Sequence, residues 1–181
     1  MMPAKKLIVD ENSPYFNTAN TKSRVFPSKF NQIRNFATII VFEAPDNLKM
    51  RNLLEQQISE IIKNAIVHGN RKDPEKKIKV WWEFNSEKKF ARIIVEDEGE
   101  GFKNLDHWNE FNAKRTECFM CNNFEEMLNY ISYRTEDSSD MDGGNSLFAA
   151  VEFWNGGMYY NEKKNKVACM KFYSANELND K

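Results

Sequence analysis

The sequence predicts an α+β fold, a two-layer α/β sandwich with helices on one face of a mixed, mostly antiparallel sheet. Three observations carry this. Two early segments repeat apolar residues at helical spacing. Two later pairs of runs, rich in aromatic and branched residues, are each joined by a short polar link and read as hairpins. The order helices, hairpin, helix, hairpin groups the elements in blocks instead of alternating them, which favours an antiparallel sheet. With 181 residues, 41% of them apolar and 14 of them Phe, the chain is long enough to bury one core.

The elements follow in order. Residues 1–26 are polar and read as an N-terminal arm, with one short strand at Leu7 to Val9. Pro27 and Ser28 suit a first helical turn and a cap, and Phe30, Ile33, Phe36 and Ala37 supply a buried stripe. Ala44 to Asn47 breaks that helix. A second helix is predicted from Leu48 to His68, with Leu54, Ile58, Ile61, Ile62, Ala65 and Ile66 on its apolar face. Gly69-Asn70 stops it, since either residue accepts a left-handed conformation. Ile78 to Phe84 and Phe90 to Glu96 form the first hairpin. In its first strand Trp81 and Trp82 point to opposite faces, so one is expected in the core and one at an exposed edge or interface.

Residues 103–142 form a long polar insert. Within it Asn123 to Tyr133 reads as a short helix, opened by Asn123 and Glu126 as a capping box. Phe124, Met127, Leu128 and Ile131 share one face of it. Such a stripe ordinarily packs back on the domain; the other readings are closure of a site or docking of a partner. Leu147 to Trp154 is an apolar helix ended by Gly156-Gly157. Met158 to Asn161 and Val167 to Tyr173 form the second hairpin. The domain therefore spans 27–173, and 174–181 is a tail.

The formal net charge of −1 gives no sign of broad attraction to nucleic acid or to anionic membranes. No apolar run approaches the ~18 residues of a membrane span, and the N-terminal apolar run is too short for a signal-peptide core. Three cysteines, an odd number, imply no disulfide framework. These features place the protein in the cytoplasm. Cys118-x-x-Cys121 with His107 and Cys169 invites a zinc reading, but a structural zinc site normally needs four well-spaced ligands and a second pair is missing.

Three stretches can carry chemistry. Glu60, Asn64 and His68 follow at four-residue steps, so all three line one side of the second helix. Asn is a poor residue for a helix interior and needs a reason to be there. Its amide oxygen is a hard ligand suited to Mg²⁺, and a carboxylate one turn away can take a proton from an attacking hydroxyl. Asp97 then closes a strand just before Gly99 and Gly101. An ionised carboxylate only accepts hydrogen bonds, so it favours the amino group of adenine over the carbonyl of guanine. Glycines lack a Cβ and let backbone pass close to a flat base. Third, Gly143, Gly144 and Ser146 lead into the last helix, where free amides favour phosphate.

Taken together, Glu60-x-x-x-Asn64-Ala-x-x-His68-Gly69, then Asp97-x-Gly99-x-Gly101-Phe102, then a glycine pair leading into a helix, resemble the GHKL ATPases, which include gyrases and histidine kinases. The subgroup this chain most resembles is the anti-sigma-factor serine/threonine kinases, over roughly residues 27 to 173. The resemblance implies a Bergerat-type fold that binds ATP with Mg²⁺ under a mobile lid. It implies that Asn64 coordinates Mg²⁺, that Glu60 is the general base, and that Asp97, with Gly99 and Gly101, holds adenine. His68, Gly143, Gly144 and Ser146 would complete the nucleotide site, and an anti-anti-sigma-like protein or a sigma factor would be the partner. A homodimer follows from the resemblance alone. Two departures stand out: Ser146 occupies the place of a second family glycine, and the 103–142 insert is longer than usual. They leave a second reading, a module that holds a partner with little or no turnover. A histidine kinase domain fits less well, because no dimerising phosphoacceptor helix pair is present.

Overall fold

The computed structural model describes residues 4–135 and 144–178. Six strands form one open sheet in the order β1-β5-β6-β4-β3-β2. They are β1 (Leu7–Val9), β2 (Lys22–Pro27), β3 (Lys77–Asn85), β4 (Phe90–Asp97), β5 (Gly157–Tyr160) and β6 (Lys166–Phe172). Among the described residues only β1 and β5 pair in parallel; the other four strand pairings are antiparallel. The helices are α1 (Ile33–Val41), α2 (Arg51–Asn64), α3 (Leu105–Met120), α4 (Phe124–Met127) and α5 (Ser146–Phe153). The fold is an α+β two-layer sandwich. The alternate residues Ile78, Val80 and Trp82 of β3 and Ala91, Ile93 and Val95 of β4 join Leu54, Ile58 and Ile62 of α2 and Trp108 of α3 in one core.

The stretch before Pro27, read as an arm, belongs to the sheet. It supplies both edge strands, and Tyr15 and Phe16 between them cover the face away from the helices. That covering changes the expectation for the tryptophan pair, because both are buried. Trp82 donates its indole N–H to Glu43 Oε2 at 2.7 Å on the helical side. Trp81 packs with Ile94 and Ala168 under Tyr15 and Phe16, with Lys79 Nζ 4.6 Å from its ring centroid.

Several boundaries move for identifiable reasons. Ser28 does not cap a helix: Pro27 ends β2, and the Ser28 N–H donates to Lys76 O at 3.1 Å, tied to the start of β3. The chain then makes a 3₁₀ turn at Phe30–Gln32 before α1 begins, which leaves Phe30 50% exposed instead of in the buried stripe. The second helix starts at Arg51, not Leu48, because Leu48 bridges to Leu178 and the Lys49 N–H donates to Glu177 O. The tail thus takes up backbone that a longer helix would use.

The polar insert holds the largest difference. Residues Leu105–Met120 form a sixteen-residue helix where only weak signals were read. Its polar residues are engaged: Asn109 receives the Leu7 N–H at 2.8 Å and donates to Leu7 O at 2.9 Å, and Asn112 donates to Lys5 O at 2.8 Å. The short helix starts where Asn123 and Glu126 placed it, with Asn123 Oδ1 accepting the Glu126 N–H at 3.2 Å, but it is shorter than the expected Asn123 to Tyr133: α4 ends at Met127 and a 3₁₀ turn, Leu128–Tyr130, follows. Its apolar stripe does not pack back on the domain, since Phe124 is 58% and Leu128 66% exposed. Cys118 and Cys121 sit at the end of α3, whereas Cys169 lies inside the sheet on β6. No described helix is long and apolar enough to cross a membrane.

Candidate functional site

Helix α2 does not run regularly to its end. After Asn64 the chain widens into a π-helical turn, Ala65–Gly69, closed by the Asn70 N–H to Ala65 O at 2.8 Å. Such turns are rare and occur often at functional sites. The left-handed residues that follow are Arg71 and Lys72, at φ 55° and 58°, while Asn70 keeps a right-handed conformation at φ −80°. Gly69 and Asn70 therefore stop the helix by a different route from the one expected.

Asn70 is fully buried and ties the turn to the first hairpin. Its amide donates to Lys77 O at 2.9 Å and accepts the Glu98 N–H at 2.8 Å. Both partners are backbone groups, so the side chain fixes where β4 ends relative to α2. The sequence offered one signal for this, an Asn directly after the His-Gly pair, and it was read only as a stop.

At that strand end Asp97 Oδ1 accepts the Gly99 N–H at 2.8 Å. The Asp97 backbone N–H donates to Asn165 O at 2.9 Å, and Asn165 Nδ2 donates to Asp97 O at 2.7 Å. The loop between β5 and β6 thus holds Asp97 from the other side. A Cβ on Gly69 would strike the Asp97 carboxylate, and a Cβ on Gly99 would strike the Gly69 carbonyl. These two glycines make room for the acid and for each other. Gly101, at φ +91°, passes so close to Lys163 O that only glycine fits. The absence of side chains at 99 and 101 is therefore used by the protein's own backbone, and Gly99 does not line the cleft described next. Burial raises the Asp97 carboxyl from its ordinary 3.8 to about 6, although the Gly99 N–H, Lys163 and Lys76 pull it down.

The cleft has a volume of about 550 Å³, within the range of small-molecule sites. Glu60, Asn64, His68, Asp97, Gly101, Gly144 and Ser146 all line it. Three separate stretches of sequence thus meet in one cavity. Gly143 lies outside the described residues. Glu60 Oε2 is shut off from solvent and accepts no hydrogen bond from any described residue, with Lys63 Nζ 4.0 Å away. Val95, Met158, Tyr160 and Val167 give the cleft an apolar floor.

The rim is more basic than the sequence reading anticipated. Lys63, Arg71, Lys103, Lys164 and Lys166 line the cleft against three acids, Glu60, Asp97 and Glu100. Glu100 offsets part of this charge, at 2.6 Å from Lys103 Nζ and 3.5 Å from Arg71 Nη2. Arg71, Lys103 and Lys164 come from loops, where no periodicity marks them, while Lys63 lies on α2 and Lys166 opens β6.

The far wall is built from α3, α5 and the stretch that carries Tyr133 and Thr135. Tyr133 donates its N–H to Gly144 O at 3.0 Å, and a Cβ on Gly144 would strike Ser132 Oγ. Gly144 carries the positive φ of +67°, whereas Ser146 is the first residue of α5. Position 146 thus has no need of a left-handed conformation.

Among the described residues no group of three or more His, Cys, Asp or Glu is placed to hold a metal ion. Of the residues lining the cleft, Asn64 carries an amide oxygen of the kind that Mg²⁺ takes beside ligand and water oxygens. Comparison with protein-family models finds no matching family, and comparison with curated proteins finds no matching relative.

Proposed function

We propose that the chain is an ATP-dependent protein serine/threonine kinase of the anti-sigma-factor type, acting in a reducing cytoplasm on a regulatory partner protein. The observation that supports this best is the meeting of Glu60, Asn64, Asp97 and Ser146, from three distant stretches, in one cleft with a basic rim. Asp97 accepts the adenine amino group, and the apolar floor takes the ring. Basic side chains of the rim, with Lys103 and Lys164 among them, meet the phosphates. Asn64 offers its amide oxygen to Mg²⁺, which supplies charge neutralisation at the phosphates. Glu60, which lines the cleft, takes the proton of an acceptor hydroxyl. Phosphoryl transfer depends mainly on such positioning and on charge neutralisation.

Calorimetry with Mg-ATP tests the reading. The native chain is expected to bind, and Asp97→Asn to bind at least about tenfold more weakly, since it places an amide donor where the adenine amino group donates. No binding by the native chain would end the kinase reading.

A second reading, a partner-holding module with little turnover, draws on Ser146, which lines the cleft where the family that the chain resembles has a second glycine. Mg-ATP binding without phosphate release or transfer would favour it.

A further inference from the structure

Glu60 and Lys63 face two cavities. Besides the cleft, they close one end of a second groove, about 510 Å³ in volume, between the first turns leading into α1 and the outer side of α2. Along α2 the groove follows Asn52, Gln56, Ser59 and Glu60 to Lys63, steps of one to four residues on one face. At 1.5 Å per residue that stripe is about 16 Å long. Phe30 and Asn31 form part of the opposite wall. Glu60 therefore stands where the groove meets the nucleotide cleft.

We propose that this groove seats the phosphate acceptor as an extended polypeptide segment, which presents a Ser or Thr hydroxyl to Glu60 from the groove side. The inference rests on the kinase reading above and adds the form and route of its substrate. A 16 Å track holds about five residues of extended chain at about 3.3 Å each. Asn31, Asn52 and Gln56 are exposed amides. Each offers a donor and an acceptor, the complement of a peptide backbone. Arg34 and Glu55 lie 3.6 Å apart and offset each other, so the groove lacks the cationic excess that tracks a nucleic-acid backbone. Phe30, half exposed, gives one side chain of the segment an apolar ledge. In the transfer the hydroxyl oxygen bonds the γ-phosphorus while the bond to the β–γ bridging oxygen breaks. ADP leaves with that electron pair, and the hydroxyl proton passes to the Glu60 carboxylate.

The test uses the full chain, Mg-ATP labelled in its γ-phosphate and a library of random peptides centred on Ser or Thr. A subset of peptides is expected to be labelled. Gln56 lies outside the nucleotide cleft, so Gln56→Trp should lower kcat/KM for those peptides by about tenfold or more while Mg-ATP affinity stays within about twofold. Asn52→Trp, one turn away, provides a second block if the first variant folds poorly. Undiminished labelling by both variants would overturn the proposal. So would an absence of labelled peptides from a chain that binds Mg-ATP, or a groove that the same substitutions show to bind single-stranded RNA instead. Failure of the native chain to bind Mg-ATP is a separate result, which removes the kinase reading and this inference with it.

Discussion

The two walls of the cleft are built to different standards. On the α2–β4 wall, Leu54, Ile58, Ile62 and Ile66 are fully buried behind the polar residues. Asn70 fills both its donor and its acceptor role with backbone groups, and Gly69, Gly99 and Asp97 interlock. On the α3–α5 wall, packing is concentrated in an aromatic cluster near the cleft. There Phe111 lies 5.2 Å from Tyr133 and 6.0 Å from Phe148 between ring centroids. Beyond it the α3–α4 corner turns Phe119, Phe124 and Leu128 outward. Groups that must hold a ligand at fixed geometry need support from packed neighbours. The first wall has that support throughout, and the second has it only at its base. On the proposed function, recognition of a nucleotide would belong to the first wall, and the second would be the one free to respond to a partner.

The sharpest way to break this contrast is Gly99→Ala. Its Cβ would run into the Gly69 carbonyl, which cannot yield without moving the π turn and Asp97 together. Overpacking of this kind is expected to remove about 2–3 kcal/mol of stability, read by urea denaturation, and to abolish Mg-ATP binding with it. A variant as stable as the native chain would mean that the first wall is not interlocked.

A smaller effect, and one that varies with pH, comes from Asp97 itself. Its folded carboxyl titrates near 6, above the ordinary 3.8, so the native state holds the proton more tightly than the unfolded chain does. The destabilisation from burying the carboxylate is therefore absent below about pH 4 and grows as pH rises towards about 6, then levels off. Asp97→Asn carries no such charge. Its urea midpoint is expected to gain on that of the native chain as pH rises from 4 to 7.5, and a pH-independent difference would contradict the burial.

The same contrast explains what could be read in the sequence. Glu60, Asn64 and Asp97 sit on regular elements; helical spacing puts the first two on one face, and the resemblance implies that Asp97 joins them. The π turn left no such mark, because it is a shift in backbone hydrogen bonding within an ordinary-looking apolar run. Helix α3 was missed because Asn109 and Asn112, poor helix formers by propensity, use their amides on the backbone of residues 5–7, a tertiary contact that local patterning cannot contain. One tryptophan of the Trp81–Trp82 pair is expected at an exposed edge or interface because nothing near Trp81 in sequence shows that Tyr15 and Phe16 cover it. The basic rim was invisible for a related reason, since Arg71, Lys103 and Lys164 come from three loops that only the fold draws together.

The smallest expected effect is the one that most sharpens the difference between the walls. Leu128 is 66% exposed beside Phe124, on the outer side of a short helix capped by Asn123. If that corner is surface and not core, Leu128→Glu removes almost no buried area. Surface substitutions of this kind usually change stability by no more than about 0.5 kcal/mol. Thermal or urea unfolding of the variant should therefore overlay that of the native chain, and Mg-ATP affinity, set on the opposite wall, should not move. A loss of more than about 1 kcal/mol would show Leu128 to be packed in solution, a cost typical of removing a buried contact. The second wall would then be as fully supported as the first, and the division between a wall that recognises and a wall that responds would have to be given up.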